Sequence, residues 1–206
     1  GSSPTNRGGG IYCLDSTPVV SSCTVSGNHA TAYGGGMFFG TATRCTITGN
    51  SSGFYGGGKY WGTASHCTIT GNSATNKAGG VAVSMADSCL IADNHAGGDG
   101  GGALAGTFVN CTIAGNSSAG AGGGIYGGIY GGSLTNCIVW GNTAATSNGL
   151  YAIAATYSCS PDLVRGASGN ITNDPQFVDA TNGNYRLQAA SSCINAGTTE
   201  AWMAGG

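Results

Sequence analysis

Short runs of alternating apolar and polar residues recur along most of the chain. In Cys45-Thr46-Ile47-Thr48 the Cys and Ile point one way and both Thr residues the other, and residues 23–26, 67–70 and 111–114 repeat the alternation. A period of two is the mark of a half-buried β-strand, and Thr, Val and Ile suit a pleated surface. A strand of about four residues cannot bury its apolar face alone. Stacked on an equivalent strand roughly 4.8 Å away, it can.

The runs return at a fixed interval. Cys23, Cys45, Cys67, Cys89 and Cys111 are spaced by 22 residues, the interval to Cys137 is four longer, and Cys159 resumes the step. Five residues beyond each of the first six stands an asparagine: Asn28, Asn50, Asn72, Asn94, Asn116 and Asn142. Val25, Ile47, Ile69, Ile91, Ile113 and Val139 form a third column, and Gly triplets such as residues 34–36 and 56–58 open the coils. A repeat of this length is a solenoid signature. The expectation is an all-β, right-handed parallel β-helix of about seven coils over residues 1–157, with residues 158–206 as a C-terminal cap of the same domain. The Cys column reads as small buried hydrophobes. The Asn column reads as a ladder of amides at a turn. The doubled Gly-Gly-Ile-Tyr at residues 123–130 and an insertion between Cys13 and Ser22 are expected to form loops on the surface. Asn182-Gly183-Asn184 reads as a turn between Phe177-Val178 and residues 185–187.

The Gly-Gly-Gly-Ile-Tyr and Ile-Thr-Gly-Asn motifs resemble the repeats of polymorphic outer-membrane proteins and of right-handed parallel β-helix proteins. The stretches at residues 174–179, 184–187 and 192–197 resemble the ending of bacterial surface β-helix proteins of the choice-of-anchor type. The resemblance implies a bacterial surface or extracellular module, and a continuation beyond Ala201-Trp202-Met203 into an anchor. It assigns no activity.

Composition narrows the function classes. Charged residues make up 7% of the chain and the net charge is −2. There is no basic run to suggest nucleic acid, and no apolar stretch long enough to span a membrane. Nine cysteines would ordinarily suggest disulfides. The regular phase instead argues for buried thiols at Cys45, Cys67, Cys89 and Cys111, and leaves Cys13, Cys159 and Cys193 as the candidates for bonding. One column of cysteines cannot surround a metal. No metal and no cofactor is implied.

Catalysis on such a fold would need converging carboxylates and a base. Asp87, Asp93 and Asp99 share a coil at different phases, with Lys59, Lys77 and Arg44 in nearby coils; all of them read as solvated single charges. His29 and His95 share a phase three coils apart, too far for one metal. The outward residues Thr46, Thr48, Thr68 and Thr70 form adjacent Thr-x-Thr rows that could meet ice or a glycan surface, and Leu90, Ala92, Ala114, Ile138 and Trp140 interrupt the array. Phe39 and Trp61 sit at matching phases as a candidate aromatic platform.

The function expected is a non-catalytic structural or adhesive module, extracellular or at the cell surface. A polysaccharide lyase or hydrolase is the alternative, and ice or glycan-surface binding a third reading. Expected partners are copies of the chain, upstream or downstream segments of a longer chain, or polysaccharide. The first coil's open strand edge, with only residues 1–7 to cover it, is where such pairing is expected.

Overall fold

The computed structural model describes residues 6–198; residues 1–5 and 199–206, including Glu200, lie outside the described part. The chain winds as a parallel β-solenoid of about seven turns, and the described residues contain no α-helix. The first five turns each contribute strands to three sheets. The largest stacks Ile11–Tyr12, Met37–Phe38, Lys59–Ser65, Val81–Asp87, Ala103–Val109, Ile125–Tyr126 and Leu150–Tyr151, with Thr41–Thr43 and its equivalents continuing beyond a bend. A six-stranded sheet carries the Cys-Thr-Ile-Thr runs, from Thr24–Ser26 to Ile138–Trp140. A five-stranded sheet of two-residue strands runs from His29–Ala30 to Ser117–Ser118. The pairing is parallel and in register at the repeat, Ile47 beside Ile69 and Ile69 beside Ile91.

Corners between the sheets explain the rest of the motif. The residue before each column cysteine is left-handed: Arg44, His66, Ser88 and Asn110 all have φ between 52° and 54°. The residue before each column asparagine is left-handed too, and there the chain uses glycine: Gly27, Gly49, Gly71, Gly115 and Gly141. One coil breaks that rule, with Asp93 at φ 56°. At the triplets glycine is required by crowding. A Cβ on Gly57 would stand 2.1 Å from the Ser73 carbonyl oxygen and 2.5 Å from that of Gly79.

The lumen is filled by the columns. Ile47, Ile69, Ile91, Ile113 and Val139 are fully buried, with Phe108, Met37 and Leu134 among them. The asparagines stack continuously: Asn50 Nδ2 donates to Asn72 Oδ1 at 3.0 Å, Asn72 to Asn94 at 3.0 Å and Asn94 to Asn116 at 2.9 Å. Each Oδ1 also accepts the backbone N–H of the preceding coil's asparagine, and Nδ2 donates to a carbonyl, as Asn94 does to Ile69. Buried amides are thereby satisfied at every layer, which is what burial demands.

All nine cysteines are free thiols. Cys45 to Cys137 are buried in the column, donating to carbonyls such as Ala42 O from Cys67 Sγ. Cys23, expected in that column, is exposed, because its strand belongs to the first coil and pairs on one side only. Lys59, expected as a solvated charge, is completely buried in the lumen, beside Met37 and Val81.

The tail departs from a simple cap. Cys159 bridges Ile138 on one side and Ile171 on the other, and Asn170 Oδ1 accepts from Ser158 N–H at 2.9 Å, so residues 158–171 lay a final layer on the last coil. Phe177–Asp179 and Asn184–Leu187 then pair as an antiparallel hairpin. That hairpin lies along the flank of the six-stranded sheet instead of over the end: Tyr185 Oη donates to Asp93 Oδ1 at 2.8 Å, 92 residues away in sequence.

Candidate functional site

The large sheet bends sharply once per coil. Phe39, Trp61, Val83 and Ala105 occupy equivalent positions and all have positive φ, between 49° and 61°. A left-handed residue bends the strand, and Gly40, Gly62 and Gly106 stand at or just after the bend where neighbouring atoms crowd. The stacked bends make an open groove of about 540 Å³ that reaches across four coils, from Trp61 to Gly132. Its walls are Trp61, Thr63, Val83, Met85 and Thr107, with Ser84 and glycines on the floor. No side chain lining it is an acid, a base or a histidine.

Trp61 is 40% exposed and stands at one end of this groove. It is held edge-on to Phe39, with ring centroids 4.9 Å apart, and stacks on Tyr60 at 5.7 Å. Phe39 does not share the exposed role expected of it. It is partly buried against the core, and the first-coil insertion passes beside it, with Asp15 O accepting from Gly40 N–H. Sequence reasoning missed Thr63, Met85 and Thr107. The signal was present in the column Thr41, Thr63, Met85, Thr107 and Ser133, which pairs in register across five coils.

The other threonines form a flat face. Thr24, Thr46 and Thr68 are exposed and in register, as are Ser26, Thr48 and Thr70 beside them, the last two only half-exposed. Thr70 Oγ1 donates to Thr48 Oγ1 at 3.4 Å. The array stops where the hairpin begins. Ala92 and Ala114 are buried, and Trp140 faces Phe177 and Tyr185 across a cavity of about 360 Å³. The residues that interrupt the threonines are therefore the floor under the tail.

The carboxylates are engaged separately. Lys77 pairs with Asp99 at 2.7 Å, and burial, which raises the Asp99 carboxyl, is outweighed by the bonds from Lys77 and Ala121 N–H, which hold it below its ordinary value. Asp93 takes the Tyr185 hydroxyl, Asp87 the Ser88 hydroxyl, and Asp162 the backbone N–H groups of Gly149 and Leu150. Asp15, Asp174 and Asp179 each close a local turn.

Residues 2–164 match the family model described as NosD, periplasmic copper-binding protein. The chain belongs to the NosD family. No curated protein and no solved structure matches it. The NosD match agrees with the parallel β-solenoid, and no helix among the described residues is long and apolar enough to cross a membrane.

The NosD description implies copper, which thiolate, thioether and imidazole donors hold. Among the described residues no three His, Cys, Asp or Glu side chains stand together to hold a metal ion. His29 and His95 contact Ser51 and Ser117 of the next coil, each at 2.9 Å, and His66 contacts Ser65 at 2.8 Å. The column thiols face carbonyls, and hydrogen bonds with neighbouring thiols together with burial raise Cys67, Cys89 and Cys111. The hydrogen bond with Cys111, together with burial, pushes Cys89 up to about 12. Among the described residues, the His, Cys, Asp and Glu side chains of this NosD-family chain do not fit a copper centre of three or more such ligands.

Proposed function

We propose that this chain is a non-catalytic, extracytoplasmic binding module whose stiff solenoid presents the bend groove to an extended neutral polymer, with a glycan chain as the ligand class. The observation that carries the reading is the groove itself: one exposed indole, the hydroxyls of Thr63 and Thr107 on either side of Met85, and a floor of Ser84 and glycines, with no titratable side chain in its lining. An indole face stacks on a sugar ring, and threonine hydroxyls both donate and accept. A lyase or hydrolase needs carboxylates or a base within reach of one bond. The described carboxylates here serve ion pairs, turns and the tail, which supports a binding role over a catalytic one. The family's periplasmic description supports a location outside the cytoplasm, and the tail's likeness to surface-protein endings supports the cell surface.

Affinity electrophoresis in gels containing neutral and acidic polysaccharides tests this. Retardation by a neutral glycan, reduced at least about tenfold by Trp61→Ala, is the expected result; tenfold corresponds to about 1.4 kcal/mol. Release of reducing or unsaturated ends from any polyuronide, with or without calcium, would replace this reading with the enzymatic one. Retardation unchanged in Trp61→Ala and lost in Thr46→Tyr or Thr68→Tyr would move the site to the flat threonine face.

A further inference from the structure

We propose that Cys159 and Cys193 form a disulfide that fastens the C-terminal tail to the last layer of the solenoid. The two residues line one cavity of about 80 Å³, together with Cys137, Tyr157, Ile171 and Ala196. Both are brought there by bonds that do not involve sulfur. Cys159 N–H donates to Cys137 O at 2.8 Å, which seats its strand on the last coil. On the other side, Thr198 N–H donates to Asn136 Oδ1 at 2.8 Å and Asn136 Nδ2 donates back to Thr198 O at 3.0 Å. Ser191 Oγ donates to Pro175 O and accepts from Cys193 N–H, fixing the turn that carries Cys193.

Cys159 Sγ donates to Asn173 O at 3.2 Å, and the neighbouring Cys159 thiol holds the Cys193 pKa below its ordinary value. Thiolate is the attacking species in disulfide exchange. Cys159 is raised, as Cys67, Cys89 and Cys111 are, so Cys193 is the member of the pair set apart from the column. Cys137 Sγ donates inward to Phe108 O and Thr135 O, and Cys111 and Cys89 are raised by their neighbours' hydrogen bonds. Among the described cysteines Cys23 is the exposed one, and it lies in the first coil, at the far end from the tail.

The oxidant is another disulfide, either a small-molecule disulfide or a disulfide oxidoreductase. The Cys193 thiolate attacks one sulfur of it and expels the first thiolate. Cys159 sulfur, giving up its proton, then attacks Cys193 sulfur in the mixed disulfide and expels the second. Two electrons and two protons leave with the two released thiols, and one S–S bond replaces another. The product bond closes a loop that contains the hairpin over Asp93 and Trp140, so both ends of that loop stay fastened to the last layer while the bond is intact.

The test uses the whole purified chain, reduced and then treated with oxidised glutathione. Alkylation after unfolding is expected to label two fewer cysteines than the nine of the reduced chain. Mapping should recover one linked peptide pair containing Cys159 and Cys193. Cys193→Ser should keep all its remaining thiols alkylatable. Limited proteolysis adds a second readout: the oxidised chain should lose cleavage within residues 174–198 at least tenfold relative to the reduced chain. Nine labelled cysteines after oxidation, a linked pair other than Cys159 with Cys193, or a Cys193→Ser chain that still loses two thiols would each overturn the proposal. Because the oxidant is supplied in the tube, the outcome does not depend on where the chain resides or what its groove binds.

Discussion

Replacing Lys59 by Met should exchange a pH-dependent cost for a pH-independent one. Lys59 occupies a lumen column between Met37 and Val81, and no part of it is exposed. Its Nζ donates to Phe39 O at 2.7 Å and Gly40 O at 2.8 Å. Burial brings its pKa down from 10.5 to about 8, partly offset by the Cys13, Cys67 and Cys45 thiols. At about 1.4 kcal/mol per pKa unit, that gap represents about 3 kcal/mol. The sign follows from proton counting. Between about 8 and 10.5 the unfolded chain holds this proton and the folded chain does not, so stability rises with pH in that window. The cost is therefore complete below about 8 and gone above 10.5.

Met fills the same column one coil earlier, so Lys59→Met preserves shape. It removes the ammonium and leaves the Phe39 carbonyl short of a donor, whereas Gly40 O keeps Thr63 N–H at 3.3 Å. That loss costs roughly 1–2 kcal/mol. Lys59→Met should then be more stable than the parent by roughly 1–2 kcal/mol near pH 6.5, and less stable by a similar amount near pH 10.5. Urea denaturation of both chains under reducing conditions, at several pH values, measures the difference. Other titrating groups are common to both chains and cancel. A difference that stays constant from pH 6.5 to 10.5 would refute the reasoning, since it would mean that Lys59 titrates alike in the folded and unfolded chains.

Asn94→Ala removes a side chain that donates to Ile69 O and Asn116 Oδ1 and accepts from Asn72 twice, so a loss of roughly 3–5 kcal/mol is expected in thermal unfolding. Gly57→Ala should abolish soluble folded protein, because its Cβ meets backbone on both sides, whereas Gly27→Ala meets nothing within 4 Å and should cost only about 1 kcal/mol for its left-handed φ; circular dichroism and melting of the two side by side make the comparison. Asp93→Gly restores the corner glycine of the other coils but removes the acceptor of Tyr185 Oη. It should leave the solenoid's melting temperature within a few degrees and raise hydrogen exchange of the hairpin residues 177–187 at least about tenfold, a change of about 1.4 kcal/mol in local opening.

How much of this was legible depends on whether neighbours in space were also neighbours in phase. The Cys, Ile and Asn columns were readable because the repeat places each residue above its own kind, so one coil's alternation describes them all. Trp61 was readable as an outward aromatic for the same reason. Phe39 was misjudged because the insertion beside it belongs to one coil only, and phase says nothing about what a loop covers. The groove column of Thr63, Met85 and Thr107 was overlooked because Met85 breaks its composition, although the spacing is the same.

Period and alternation alone determined the stacked parallel coils, the inward cysteines and isoleucines, and the need for glycine where triplets crowd backbone against backbone. These are local rules repeated at a fixed step, and repetition turns a local preference into a long-range contact. Only the tertiary structure decided the fate of the residues that break the repeat. Asp93 stands at a left-handed corner otherwise given to glycine because the tail returns there and needs an acceptor for Tyr185. Leu90, Ala92, Ala114 and Trp140 displace threonine because the tail's hairpin lies along them. Lys59 sits in an apolar column because two carbonyls at the bend, one coil below, face its ammonium. Each of these contacts joins segments at unrelated phases. No period in the sequence encodes such a contact, and it exists only once the coils are stacked and the tail has folded back along them.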